Sequence, residues 1–234
     1  MPSSASDAQR RAPLLPALAA LLNRYGPQGW WPGSGNRDEI MIGAVLTQNT
    51  AWRNVERALE SLRGAGLLSL EALHRESPER IAPLIRSSGH FNVKTARLKA
   101  LAAWVEQQCR FDFHVLDGWD TVQLRHGLLT VKGIGEETAD DIVLYAFGRP
   151  SFVVDAYTRR VMQRHGWATG NESYAGIQRL WHDALPADAA LMNEAHALIV
   201  RLAKHHCRAR VADCRECPLN LPEFTPPARV EAAG

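Results

Sequence analysis

The period at which apolar residues recur restricts this chain more than any other feature. "IMIGAVL" (40 to 46) is apolar on every side, as a buried central helix requires. Val55, Leu59 and Leu62, then Leu98, Leu101 and Val105, each mark one face at spacings of three and four. The same period runs through Leu124, Leu128 and Val131, through Thr138 to Phe147, and through Ala156 to His165, which Gly166 closes. It continues in Tyr174 to Leu185 and Leu191 to Lys204. No stretch alternates as a strand would. The expectation is an all-α protein of roughly ten short helices in two lobes, not a repeat array.

A chain of 234 residues with 46% hydrophobic residues can bury a sizeable core. The formal net charge of +2 announces no partner by itself, so any basic surface has to come from local clustering. "RRAPLLPALAALL" has the basic start and apolar body of an export signal. Pro16 interrupts the body and no small-residue cleavage site follows, so a packed amphipathic helix beginning near Pro13 is expected. No run is long enough to span a bilayer. These readings place the protein in the cytoplasm, nucleoid-associated if bacterial, without a membrane partner. Residues 1–12 and 224–234 are expected to be disordered ends.

Of the four cysteines, Cys207, Cys214 and Cys217 crowd together and Cys109 stands far away. That clustering suits a metal site better than a disulfide framework.

"TVKGIGEETADDIVLYAFGRPSFVVDAYTRRV" (130 to 161) sets a Gly-Ile-Gly turn between two helical patterns and follows it with a lone carboxylate, Asp155. Backbone N–H groups left over at a turn opening a helix can hold an anion. Gly133 and Gly135 permit positive φ and close approach of a phosphate, or of a monovalent cation bridging to one. Lys132 adds charge, and Lys94, Lys99, Arg53 and Arg57 could extend the contact along a DNA strand. The alternative is a plain connecting turn, because Gly-x-Gly is a weak signal. Asp155 can cap the following helix. It can equally activate water and stabilise an oxocarbenium-like sugar while a glycosidic bond breaks.

This segment resembles the helix-hairpin-helix, Gly/Pro-rich loop and Asp signature of the endonuclease III superfamily of DNA glycosylases. "GAVLTQNT", "HFNVKTARL" and the cysteine cluster are similar to the family's other landmarks in the same order, over about residues 15 to 223. The resemblance implies a two-lobed helix-hairpin-helix glycosylase fold with a C-terminal iron–sulfur cluster loop. One lobe of six helices spans 37–136; the other is built from 13–36 and 137–223. Double-stranded damaged DNA would bind to a monomer across the groove between the lobes, with Asp155 as the catalytic acid, Lys132, Gly133, Gly135 and Lys94 on the DNA, and Gln48 filling the gap left by the flipped base.

Departures from the family pattern are informative. Bifunctional members carry a lysine two residues after the second hairpin glycine, and Glu137 stands there in this chain. A carboxylate cannot form a Schiff base. The expectation is therefore a monofunctional glycosylase for an alkylated purine or a modified pyrimidine. The alternatives are a lyase using another amine and a nearly inactive DNA-damage binder.

Trp30 and Trp31 in "GWWPG", with Trp52 in "TQNTAW", could stack on an extruded base or simply fill a core; "WWP…LTQNT" resembles the 3-methyladenine glycosylases of this family. The spacing C-x6-C-x2-C resembles the family's iron–sulfur loop, with Glu223 at the fourth position. A [4Fe–4S] cluster on Cys207, Cys214, Cys217 and Glu223 or an open corner is expected. Asp213, His205, His206, Cys109, water, and a zinc site remain as alternatives.

Overall fold

The computed structural model describes residues 13–31 and 36–224; the expected disorder at 1–12 and in 225–234, and the Pro-Gly part of the "GWWPG" loop, lie outside them. Among these residues no strand forms, and one isolated antiparallel bridge pairs Cys207 with Ala212. The chain divides into two compact units. One spans Trp31–Ser151; the other combines the residues up to Trp30 with those from Phe152 onward.

Within Trp31–Ser151, α2 (Arg37–Leu46) is the central helix, and Ile40 to Leu46 are all buried, as the continuous apolar run requires. Asn36 caps it by accepting from the Asp38 N–H at 2.8 Å. Next come α3 (Trp52–Gly64), α4 (Leu70–Arg75), α5 (Pro78–Leu84) and α6 (Phe91–Cys109), with α2, α4 and α5 packed against α6. Then α7 (Phe113–Asp117), α8 (Thr121–Leu129) and α9 (Glu136–Asp141) lead into a wider-pitched turn, Ile142–Ala146, whose five residues are all buried against α2. The periodicity does not reveal α4, α5 and α7, because each is shorter than two turns; Ser69, Pro78 and Asp112 mark their starts instead.

The other unit contains α1 (Leu14–Tyr25), α10 (Ala156–Arg164), α11 (Tyr174–Ala184) and α12 (Ala189–His205). Leu14, Leu21, Met162, Ile177, Trp181, Leu198 and Leu202 form its core, with the rings of Phe152 and Trp181 stacked 4.4 Å apart. The extended residues Phe152–Val154 are buried, so their backbone groups need partners other than a ladder. One stripe of α11 supplies them. His182 Nε2 accepts from Phe152 N at 3.1 Å, Gln178 Nε2 donates to Phe152 O at 2.9 Å, and the Tyr174 hydroxyl accepts from Val154 N at 3.3 Å.

The division differs from the expected boundaries of 36/37 and 136/137. Helix α9 and the turn after it pack against α2, so the second boundary falls at Ser151/Phe152. The whole hairpin therefore belongs to the Trp31–Ser151 unit, and Asp155 to the other.

Candidate active site

The hairpin is built from α8 outward. Asp120 and Gln123 form a reciprocal capping box at the start of α8, and the helix ends at Leu129. Ile134 N then bonds to Val131 O at 3.0 Å, and the Ile134 side chain is buried, which pins the tip while Lys132, Gly133 and Gly135 stay exposed. Gly133 has φ +90°, and a Cβ there would lie 2.5 Å from Arg97 Cγ, so both conformation and space demand glycine. Gly135 differs from expectation: with φ −96° and ψ −177° it is ordinary extended backbone, and open space surrounds the place of a Cβ. It stands at the N-cap of α9 without a side-chain cap. Arg125 joins the helices flanking the turn, its Nε and Nη2 reaching the buried Asp140 carboxylate at 2.8 and 2.9 Å.

Gln48 braces this turn. Its Nε2 donates to Gly133 O at 3.1 Å and to Thr138 Oγ1 at 2.9 Å, and its Oε1 accepts from Arg97. Both ends of the amide are engaged, so in this structure Gln48 is not the projecting side chain expected of a gap filler. The next residue, Asn49, is exposed and holds φ +53°.

Lys94 departs furthest from expectation. It is 1% exposed, and Nζ donates to Leu46 O, Thr50 Oγ1 and Ser88 O at 2.8, 2.7 and 2.6 Å. Burial, aided by the charge of Arg97, lowers its pKa to about 8. It closes the C-terminal end of α2 and cannot touch a phosphate. Lys99 is likewise occupied by the carbonyls of Leu73, His74 and Glu76. Arg53 and Arg57 are exposed.

The three tryptophans fall in two units, Trp31 and Trp52 in one and Trp30 in the other. Trp31 and Trp52 meet edge to face at 4.9 Å, and Tyr145 lies 5.3 Å from Trp31. Gly43 makes room, since a Cβ there would come within 2.8 Å of the Trp31 ring. Trp52 Nε1 donates to Glu56. Trp30 belongs to the other unit, where its carbonyl accepts from Asn193 and the Lys204 ammonium stands 5.7 Å from its ring centroid. Glu137 is exposed in the first turn of α9, where a negative charge suits the helix dipole.

Asp155 caps α10, its Oδ1 accepting from Thr158 N at 2.7 Å. His196 of α12, which sequence reasoning passed over, places Nε2 3.5 Å from Asp155 Oδ2. Burial alone would raise the carboxyl pKa. The hydrogen bond and charge of His196, together with Thr158, outweigh it and hold the carboxyl below its ordinary value. The signal in the sequence was a histidine inside the apolar run "EAHALIV".

Cys207, Cys214 and Cys217 line one cavity of about 110 Å³ with His206, Asp213 and Arg164. Burial raises the Cys217 thiol pKa, and the neighbouring Cys214 and Cys207 add to it. Arg164 ties this loop to α10, donating to Cys207 Sγ at 3.3 Å and to the carbonyls of Arg208 and Ala209. Glu223, the expected fourth ligand, is exposed on the 3₁₀ turn Pro222–Phe224 and is not among the residues lining the cavity. Cys109 bonds to Val105 O within its own helix in the other unit. Among the described residues, no group of three or more His, Cys, Asp or Glu side chains is gathered to hold a metal ion.

An all-helical chain carrying a Gly-Ile-Gly hairpin and, some twenty residues on, a helix-capping aspartate has the build of a helix-hairpin-helix DNA glycosylase. Residues 42–187 match the HhH-GPD superfamily of base excision DNA repair proteins, and the chain belongs to that family. It is 42% identical over 200 residues to the DNA repair glycosylase candidate MJ1434 of Methanocaldococcus jannaschii, covering 85% of this chain and 90% of that protein. Its structure is similar to that of the H. pylori 3-methyladenine DNA glycosylase bound to 1,N6-ethenoadenine, with TM-score 0.71, 27% identity, and coverage of 83% of this chain and 97% of that one. A non-covalent endonuclease III–DNA complex shares the fold at TM-score 0.75 and 20% identity, over 89% and 92% of the two chains. The protein is a DNA-binding base excision repair glycosylase.

Proposed function

We propose that this glycosylase is monofunctional, hydrolysing the N-glycosidic bond of a flipped, modified base in double-stranded DNA as a monomer. The observation that carries the reading is Asp155, kept anionic by Thr158 and His196, in a chain with Glu137 where bifunctional relatives have lysine. As the bond from base nitrogen to C1′ breaks, its electron pair leaves with the base. The Asp155 carboxylate stabilises the developing positive sugar and takes a proton from the water that attacks C1′. Glu137 offers no nitrogen to attack C1′, so no Schiff base forms there and the strand is left intact.

The hairpin backbone at Gly133 and Gly135, with Lys132, holds a phosphate or a cation bridging to it. Trp31, Trp52 and Tyr145 supply flat surfaces for the extruded base, which favours an electron-poor alkylated purine. Cys207, Cys214 and Cys217 would hold three corners of a [4Fe–4S] cluster, whose contribution there is to cross-link the loop; Asp213 and His206 are nearer candidates than Glu223 for the fourth corner.

The test is base release from duplexes carrying 1,N6-ethenoadenine, thymine glycol or uracil and from dimethyl-sulfate-treated DNA, with Asp155→Asn alongside. Release that needs hot alkali to reveal a break, forms no borohydride-trapped adduct and vanishes in the variant supports the reading. A trapped adduct, or binding without excision, overturns it.

A further inference from the structure

We infer that His196 is a positioning residue for Asp155: a buried imidazole that, across from the Thr158 cap, fixes the carboxylate's orientation and keeps it anionic. This inference rests on the reading of Asp155 as the catalytic group.

His196 lies in the middle of α12 among Met192, Ala195, Ile199 and Val200, and it is 6% exposed. A polar ring in such a place needs a reason, because burying it without a partner is unfavourable. Its neighbours supply one. The Phe152 ring stands 6.3 Å away and nearly perpendicular, setting the plane of the imidazole, and Nε2 points toward Asp155 Oδ2 at 3.5 Å. A carboxylate only accepts, so the nitrogen facing it carries the proton.

The two oxygens of Asp155 therefore have different partners on different helices: Oδ1 takes the Thr158 N–H of α10, and Oδ2 faces His196 of α12. The Thr158 hydrogen bond on Oδ1 and the imidazole facing Oδ2 restrict rotation of the carboxylate and leave lone pairs free for a water molecule. The side chain remains 15% exposed, which keeps it reachable. The Thr158 cap offsets part of the burial, and the imidazole across from it, the larger of the two effects, supplies the rest.

Several charged groups on α10, α12 and α1 have partners of their own. On α10, Arg159 reaches Glu172 O, Arg160 reaches Cys207 O and Arg164 reaches the cysteine loop. On α12, Glu194 accepts from Gln28 N, Arg201 reaches Tyr25 O and Gln28, and Lys204 lies over Trp30 and Tyr157. On α1, Arg24 acts on Tyr25. Among the described residues, His196 is the chargeable side chain whose effect on Asp155 is largest.

The experiment follows the Asp155 carboxyl by carbon-13 NMR titration, assigned by its loss in Asp155→Asn, in the wild type, His196→Phe and His196→Gln. It is paired with single-turnover release of methylated bases from dimethyl-sulfate-treated duplex DNA across pH, and with affinity for a duplex containing an abasic-site analogue. His196→Phe should move the carboxyl titration upward by about one unit or more. It should also slow base release at least about tenfold at neutral pH and shift the acid limb upward, with DNA affinity unchanged. His196→Gln, which keeps a donor, should recover most of both. An unmoved titration in His196→Phe, or a loss in both variants that tracks melting temperature, overturns the inference. If Asp155→Asn retains full base release, the catalytic reading of Asp155 fails whatever the titration shows; if only the titration stays still, the inference fails alone.

Discussion

Arg125 grips Asp140 through two parallel hydrogen bonds, 2.8 and 2.9 Å long, and so clamps α8 to α9 across the hairpin. Asp140 is fully buried and also accepts from Ser151. Removing one partner of such a pair leaves an uncompensated charge inside the protein. Arg125→Leu should destabilise by roughly 3–5 kcal/mol, read from urea unfolding, whereas replacing the exposed Lys132 by alanine should change stability by less than about 0.5 kcal/mol. Equal losses in the two variants would refute the clamp.

Gln48 and Asn49 are adjacent and should separate in behaviour. Gln48→Ala removes the bonds to Gly133 O, Thr138 and Arg97 and should destabilise by about 1–3 kcal/mol. Asn49→Gly keeps a residue suited to φ +53° and deletes an exposed side chain, so its melting curve should overlay the wild type. If the filler of the vacated base position is Asn49, this second variant weakens binding to an abasic-site duplex with no loss of stability.

Lys94 predicts an unusual response to alkali. Its folded pKa of about 8 lies below the ordinary 10.5, so between those values the unfolded chain binds more protons. The group's contribution is complete above the unfolded value and is lost as pH falls through the folded one. The stability of the wild type relative to Lys94→Met should therefore rise between about pH 8 and 10.5. Urea unfolding at two pH values measures it, and a flat or falling difference would count against the buried ammonium.

Asp155 carries the opposite kind of group with the same sign of dependence. Its carboxyl lies below the usual value, so its stabilisation is present above the unfolded pKa and disappears as acid carries pH down through the folded one. Asn can still accept from Thr158 N, so Asp155→Asn should fold with α10 capped, while Asp155→Ala should lose a further ~1 kcal/mol. Thermal melts at neutral pH should rank wild type and Asn above Ala; Ala matching Asn would show that the cap contributes nothing.

Period and punctuation determined much of this protein without coordinates. The apolar face of α3, the all-round burial of α2, the stop of α10 before Gly166, and the hairpin between α8 and α9 follow from local rules, because a helix records its environment every three or four residues. Asp155 was legible for the same reason: it precedes a helix and follows an apolar run.

Tertiary structure decided the residues whose roles depend on distant partners. Lys94 reads as a surface cation and is an internal brace, because the carbonyls it satisfies come from Leu46 and Ser88. Gln48 meets the hairpin across 85 residues of sequence, and the unit boundary falls between Trp30 and Trp31. His196 reaches Asp155 through the packing of α12 against α10, a contact between two helices that no period within either one encodes. Local sequence thus set each helix and its buried face, whereas the charges that matter were assigned by which faces met.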